Sequence, residues 1–148
     1  IPNLVVLQTF SKAYGLAGAR VGMAFANPDI VAVLNKIKPP YNINTLSMKA
    51  ALAVLSNVET VTTEINELKK ERERLEIELL KLKFVNRIFP SDANFLLIQF
   101  SDSKKVFNAL LNAGIVVRNR ASQVENCLRI TIGTKTENKQ ILKKLKEL

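Results

Sequence analysis

Thr9-Phe10-Ser11-Lys12-Ala13-Tyr14-Gly15-Leu16-Ala17-Gly18-Ala19-Arg20-Val21-Gly22 is a run of small, hydroxyl-bearing and glycine residues around one lysine. Its flanks decide how it is read. Ahead of it, residues 3 to 8 (Asn-Leu-Val-Val-Leu-Gln) predict a fully buried strand; behind it, Arg20 to Ala26 predicts a second. Two such strands suit the middle of an α/β sheet, and a loop at a strand end is where α/β folds build their sites. A phosphate needs hydroxyl donors, open backbone amides and a fixed cation, which Thr9, Ser11, the Gly15 and Gly18 backbone and Arg20 can supply. An aldehyde cofactor needs an amine such as that of Lys12, held near neutral so that it can form a Schiff base and later carry a proton. Spacing alone leaves a phosphate-binding loop of another kind equally open, since neither nucleotide fingerprint is present.

Outward from this loop, Asn27-Pro28-Asp29 offers a cap and a first-turn proline to a helix through about Lys36, and Pro39-Pro40 stops it. An alanine- and leucine-rich helix is predicted from Thr45 to about Leu55. A long amphipathic helix follows from about Val58 to Lys83. Ile65, Leu68, Leu75, Leu79 and Leu82 form its narrow apolar stripe. The stripe is interrupted at Arg72 and runs too few heptads for a coiled coil, so it reads as a linker helix packed on a small domain. After Asn86, short strands and helices alternate: strands at Ile88 and Phe89, Asn94 to Phe100, Ile115 to Asn119 and Cys127 to Ile132, and helices at Ser103 to Asn112 and Thr136 to Leu148. Ser101 and Ser103 are candidate caps for the first of these helices, and Asn112-Ala113-Gly114 its stop. The pattern predicts an α+β unit with a boundary near Asn57.

Hydrophobic residues at 47% and charged residues at 24% are those of a soluble globular chain, with no apolar run long enough to span a bilayer. The net charge of +9 raises nucleic acid as a partner. From Glu64 to Lys83, however, basic and acidic residues alternate as on a solvated helix face, which argues against it. The remaining excess fits an anionic substrate. With no histidine and one cysteine, Cys127, a zinc or haem site has almost no ligands to use and no internal disulfide can form, and a cytoplasmic setting is expected. The opening Ile-Pro-Asn-Leu-Val-Val-Leu enters a strand directly, so a start in mid-protein is expected.

The run Ser-Lys-Ala-Tyr-Gly-Leu-Ala-Gly-Ala-Arg-Val-Gly, from Ser11 to Gly22, closely resembles the cofactor-lysine signature of fold-type I aminotransferases of the histidinol-phosphate branch. Three further stretches resemble the family in order. Pro39-Pro40-Tyr41-Asn42-Ile43-Asn44 is similar to its turn at the substrate cleft, near the subunit interface. Ser91-Asp92-Ala93-Asn94-Phe95 is similar to the opening of the small domain's central strand. Gly114 to Arg120 with Asn126 to Thr134 is similar to its paired-arginine region. The resemblance implies an α/β protein in which residues 1–57 end the large pyridoxal-phosphate-binding domain and residues 58–148 form a linker helix and the small C-terminal α+β domain.

The cofactor implied is pyridoxal 5'-phosphate, held covalently by Lys12, which also acts as acid and base for the proton shift; Thr9, Ser11 and Arg20 would bind its phosphate. In the family the arginine of the Leu-Arg-Ile-Thr run binds the substrate carboxylate, which here is Arg129. Arg118 resembles the arginine that grips the substrate phosphate, with Arg120 on the same face as its assistant or substitute, and Asn42 would line the substrate cleft. The bland reading of Arg129 is a surface ion pair. The activity implied for the intact protein, a homodimer, is amino-group exchange between L-histidinol phosphate and 2-oxoglutarate in histidine biosynthesis. The family's carboxylate against the pyridine nitrogen and its stacking aromatic lie ahead of the lysine strand, so this chain alone is expected to be inactive. Two alternatives stand beside this reading: a threonine-phosphate decarboxylase or other pyridoxal-phosphate enzyme of the same fold, and a non-catalytic binding or assembly module.

Overall fold

The computed structural model describes residues 1–148, and the chain divides by its internal contacts into two units, Ile1–Thr63 and Glu64–Leu148. In the first, β1 (Val5–Thr9) and β2 (Gly22–Ala26) form an antiparallel ribbon with Val5 opposite Ala26 and Thr9 opposite Gly22. Position 22 favours a glycine, because a Cβ there would sit 3.2 Å from the Gln8 carbonyl oxygen, closer than most Cβ contacts. A single 3-10 turn (Ala17–Ala19), α1 (Pro28–Ile37), α2 (Thr45–Leu55) and the start of α3 (Val58–Leu80) follow. The cap expected from Asn27-Pro28-Asp29 is present, Asn27 accepting from the Asp29 amide, and Asn44 caps α2 in the same way by accepting from the Ser47 amide. Phe10, Val21 and Ala51 are buried together, with Tyr14, Leu16, Ala19 and Met23 packed against them.

The expectation of a fully buried first strand does not hold within this chain. Every residue of β1 is exposed, Leu7 to 77%. Its residues are apolar on both faces, as a central strand's are, but β2 is the one strand it pairs with. The second strand starts at Gly22 and not at Arg20, because Arg20 is left-handed (φ 57°, ψ 38°) and closes the 3-10 turn.

The second unit is a four-stranded antiparallel sheet in the order β3-β4-β6-β5, made of β3 (Val85–Phe89), β4 (Phe95–Phe100), β5 (Arg118–Asn119) and β6 (Cys127–Thr131). Period-two alternation gives β4 one buried face, Leu96, Ile98 and Phe100. These pack with Leu128 and Ile130 of β6, Leu75 and Leu79 of α3, Val106 and Leu110 of α4 (Ser103–Asn112), and Ile141, Leu142 and Leu145 of α5 (Lys135–Lys146). The apolar stripe of α3 thus covers a small sheet. No helix of the chain is long and apolar enough to cross a membrane.

Three local expectations are corrected here. The cap of α4 is Asp102, accepting from the Lys105 amide, and not Ser101 or Ser103, whose hydroxyls are engaged by Asn86 and Asn126. Helix α3 ends at Leu80 instead of Lys83, since tight turns at Leu82 and Val85 bring Leu82 and Phe84 onto the core. The strand expected from Ile115 shrinks to Arg118–Asn119: the Ile115 amide is spent on the Leu110 carbonyl at the exit of α4, where Gly114 (φ 74°) makes the expected stop.

A buried polar node ties α3 to the entry of α5. Asn138, fully buried, accepts from the Gly133 amide (3.0 Å) and donates to the Gly133 carbonyl (3.0 Å) and to Glu71 (3.1 Å). Arg74 holds Glu71 from the other side, and that guanidinium, with the Asn138 amide, keeps the Glu71 carboxyl below its ordinary pKa against the effect of burial. Replacing Asn138 with alanine leaves the part-buried Gly133 amide and carbonyl and the buried Glu71 carboxylate each short of one partner, and is expected to cost about 2 to 4 kcal/mol. The check is a thermal melt, which should fall by about 10 °C or more. Because the Glu71 value is lowered, its contribution is full above the ordinary carboxylate pKa and fades as pH falls through the lowered value.

Candidate active site

The lysine loop is organised by Phe10. Its buried ring lies 4.8 Å from that of Tyr14, its amide donates to the Val21 carbonyl, and its carbonyl accepts from the Leu16 amide. Both ends of the loop are therefore pinned, and Tyr14 packs, as expected. Between them the Thr9 hydroxyl accepts from the Ser11 amide at 2.8 Å, and the Gly15 amide donates to the Lys12 carbonyl at 3.0 Å with Gly15 at φ 65°. Lys12 stands exposed on this turn. At its far side Arg20 adopts the left-handed conformation, a cost of about 1 to 2 kcal/mol for a residue with a Cβ, and donates to the Ala17 carbonyl at 3.1 Å. Backbone strain of this kind gathers at functional sites. None of the ion pairs in the chain involves Lys12 or Arg20. The loop thus brings Thr9, Ser11, Lys12 and Arg20 onto one short pinned segment, with both cations unneutralised. Asn42 lies elsewhere in the same unit, in the exposed turn between α1 and α2.

In the second unit the arginines share one face of the sheet, opposite its core. Arg118 and Arg129 are direct cross-strand partners, and Leu97 is the partner of Arg129 on its other side. Like charges placed directly opposite repel, and no carboxylate of the chain pairs with either. The surface-ion-pair reading of Arg129 therefore finds no support. The Arg120 amide donates to the Cys127 carbonyl, which carries the ladder one residue past β5 and keeps Arg120 on the Arg118 face by alternation. Arg129 is half-buried, its guanidinium 5.0 Å from the Phe95 ring centroid, and its Nε is enclosed without a hydrogen-bond partner. Cys127 is fully buried, and burial pushes its thiol up, as suits a core residue.

Two residues of this neighbourhood escape a reading of the sequence. Phe95 neighbours Arg129 only once the β4–β6 register is known. Arg72, which interrupts the apolar stripe of α3, donates to the Ala93 carbonyl at 3.2 Å and so steadies the segment entering β4. A polar residue breaking an apolar stripe was the available signal.

Comparison with known proteins places the chain in a family. The family profile described as aminotransferase class I and II matches residues 1–145. The histidinol-phosphate aminotransferase of Christiangramia forsetii is 52% identical over 149 residues, covering 99% of this chain and 43% of that protein. The crystal structure of histidinol-phosphate aminotransferase from Sinorhizobium meliloti in complex with pyridoxal-5'-phosphate matches with a TM-score of 0.84 at 26% identity, over 99% of this chain and 41% of its own. That of L-threonine-O-3-phosphate decarboxylase from Porphyromonas gingivalis matches with a TM-score of 0.77 at 28% identity, over 97% of this chain and 46% of its own. The chain spans less than half the length of these relatives. It belongs to the class I and II aminotransferase family.

Proposed function

We propose that the intact protein is a histidinol-phosphate aminotransferase that uses pyridoxal 5'-phosphate to move an amino group between L-histidinol phosphate and 2-oxoglutarate. The observation that carries the reading is the pair Arg118 and Arg129, opposed on one sheet face with no carboxylate to neutralise them. Two guanidinium groups suit a phosphate monoester, which carries close to two charges. The 52% identical relative of that name supports it.

The donor set of the lysine loop fits the cofactor. The Thr9 hydroxyl, accepting from the Ser11 amide, still has its proton to donate, and the Ser11 hydroxyl and the Arg20 guanidinium add further donors for a phosphate. Pyridoxal phosphate, when bound, supplies an electrophilic aldehyde for the amino group and a conjugated ring that stabilises charge at the α-carbon. Lys12 would hold the cofactor through its amine and would move the proton at the substrate's α-carbon.

The chemistry of the donor revises the division of labour among the arginines. L-Histidinol phosphate has no carboxylate; its phosphate stands where 2-oxoglutarate carries its C1 carboxylate. Arg129 therefore meets both anions, and Arg118, with Arg120 beside it, adds the second cation that the phosphate needs. Residues 1–57 are assigned to the end of the large cofactor-binding domain and residues 58–148 to the linker helix and small C-terminal domain; the open apolar ribbon β1–β2 supports the first. A cytoplasmic homodimer with Asn42 at the substrate cleft completes the proposal.

The test is a direct competition of reactions on the intact protein. Glutamate should form from histidinol phosphate and 2-oxoglutarate, and threonine phosphate should release no carbon dioxide. The opposite result selects the decarboxylase reading, which the Porphyromonas gingivalis relative favours.

A further inference from the structure

We infer that Phe95 is a positioning residue for Arg129, its ring face seating the guanidinium so that the terminal nitrogens are presented together to the substrate's anionic group; this rests on the reading of Arg129 as the substrate-anion cation. The register explains the contact. Arg129 lies opposite Leu97 and Phe95 opposite Thr131, so Phe95 is the diagonal neighbour of Arg129 on the same sheet face, within reach of an aromatic side chain. The guanidinium carbon is 5.0 Å from the ring centroid, inside the range of a cation–π contact.

The state of Nε shows that the seat is imposed. It is enclosed and has no acceptor, alone in this among the side chains that are not exposed. A guanidinium free to swing into water would give every N–H a partner; this one gives up a hydrogen bond and lies on the ring instead. Arg87 over Phe89, at 4.5 Å on the same face, is the exposed counterpart of this contact, whereas Arg129 is half-buried. Phe95 is itself fixed from behind, since its carbonyl accepts from the Ser91 hydroxyl at 2.6 Å and that hydroxyl accepts from the Ala93 amide. Arg72 holds the same segment through the Ala93 carbonyl. A planar cation held against a ring has lost most of its rotamer freedom before the anion arrives, which favours binding without touching the proton transfer.

The experiment uses the intact, cofactor-saturated protein. Its first readout is the dissociation constant of 2-oxoglutarate for the aldehyde form, in which there is no amino group to transfer; its second is the KM and kcat of the full reaction. Phe95→Leu should raise the dissociation constant and both KM values about fivefold to tenfold, with kcat within about twofold, and Phe95→Tyr should stay within about twofold of the parent. Arg129→Lys, measured alongside, separates the two claims. If it weakens 2-oxoglutarate at least about tenfold while Phe95→Leu leaves it unchanged, Phe95 has no positioning role and the reading of Arg129 stands. If Arg129→Lys has no effect, that reading fails and the inference with it. Thermal melting and the absorption of the bound cofactor check the fold of each variant. Should Phe95→Leu lose either, the series Trp, Tyr, Met at position 95 decides: affinity must be kept by the rings and lost with Met, and affinity that ignores the ring overturns the proposal.

Discussion

Replacing Lys12 with alanine in the intact protein is expected to lower transamination at least about a thousandfold, because the same amine is needed to hold the cofactor and to move the substrate's α-proton. Cofactor binding should survive in non-covalent form, since the phosphate donors Thr9, Ser11 and Arg20 are separate groups on the pinned loop. Borohydride reduction of the unmodified protein followed by peptide mapping supplies an independent reading. The pyridoxyl label should appear on the peptide carrying Lys12 and on no other. A label on Lys36, Lys38 or Lys49, the remaining lysines of the first unit, would sink the assignment. Soaking Lys12→Ala with a small primary amine should restore part of the proton transfer without restoring the covalent link.

That a lysine flanked by small residues could be picked out from the sequence follows from how little of the loop depends on distant contacts. Its turn is made by Gly15 at positive φ, its ends by two short strands, and much of its packing by Phe10 and Tyr14 within the loop, with Ala51 of α2 completing the cluster. Local chemistry of this kind is written in consecutive residues. The asparagine cap of α1 and the glycine exit of α4 were legible for the same reason. The cap of α4 was not, because three hydroxyl or carboxylate candidates stand in a row at Ser101, Asp102 and Ser103. The choice among them is made by tertiary partners, Asn86 and Asn126, which draw off the serines.

What the sequence could not supply was register. Alternation places Arg129 and its neighbours on faces of a strand, but which residue of β4 lies beside it depends on a pairing across more than thirty residues of chain. Phe95 was therefore invisible as a partner of Arg129, and the direct opposition of Arg118 and Arg129 was equally so. The burial of β1 was misjudged for a related reason. A strand apolar on both faces announces that it is to be covered, while the cover itself is not a property of the strand.

Among substitutions at the arginine face, Arg129→Lys is expected to have the widest effect. Lysine keeps the charge but loses the planar fork, and both anions that Arg129 is proposed to meet, phosphate on the donor and carboxylate on 2-oxoglutarate, depend on that fork. The expected loss is about 1.5 to 3 kcal/mol, or on the order of tenfold to a hundredfold in kcat/KM, for both half-reactions. Arg118→Ala should be selective. It removes the second cation from the face, and the doubly charged phosphate needs that cation more than a carboxylate does. The same tenfold to hundredfold order of loss is therefore expected for histidinol phosphate, with little change for unphosphorylated amino donors. Arg120→Ala and the double variant with Arg118 apportion the effect between the two. Because Arg118 and Arg129 are direct cross-strand partners, the effects of Arg118→Ala and the charge-removing Arg129→Ala should not add: with the Arg129 charge gone, Arg118 no longer faces a like charge and can recover part of the phosphate by itself. Steady-state kinetics with phosphorylated and unphosphorylated donors decides the matter. Equal losses toward both donors in the Arg118, Arg120 and double variants would make these residues structural, and the phosphate specificity would lose its physical basis.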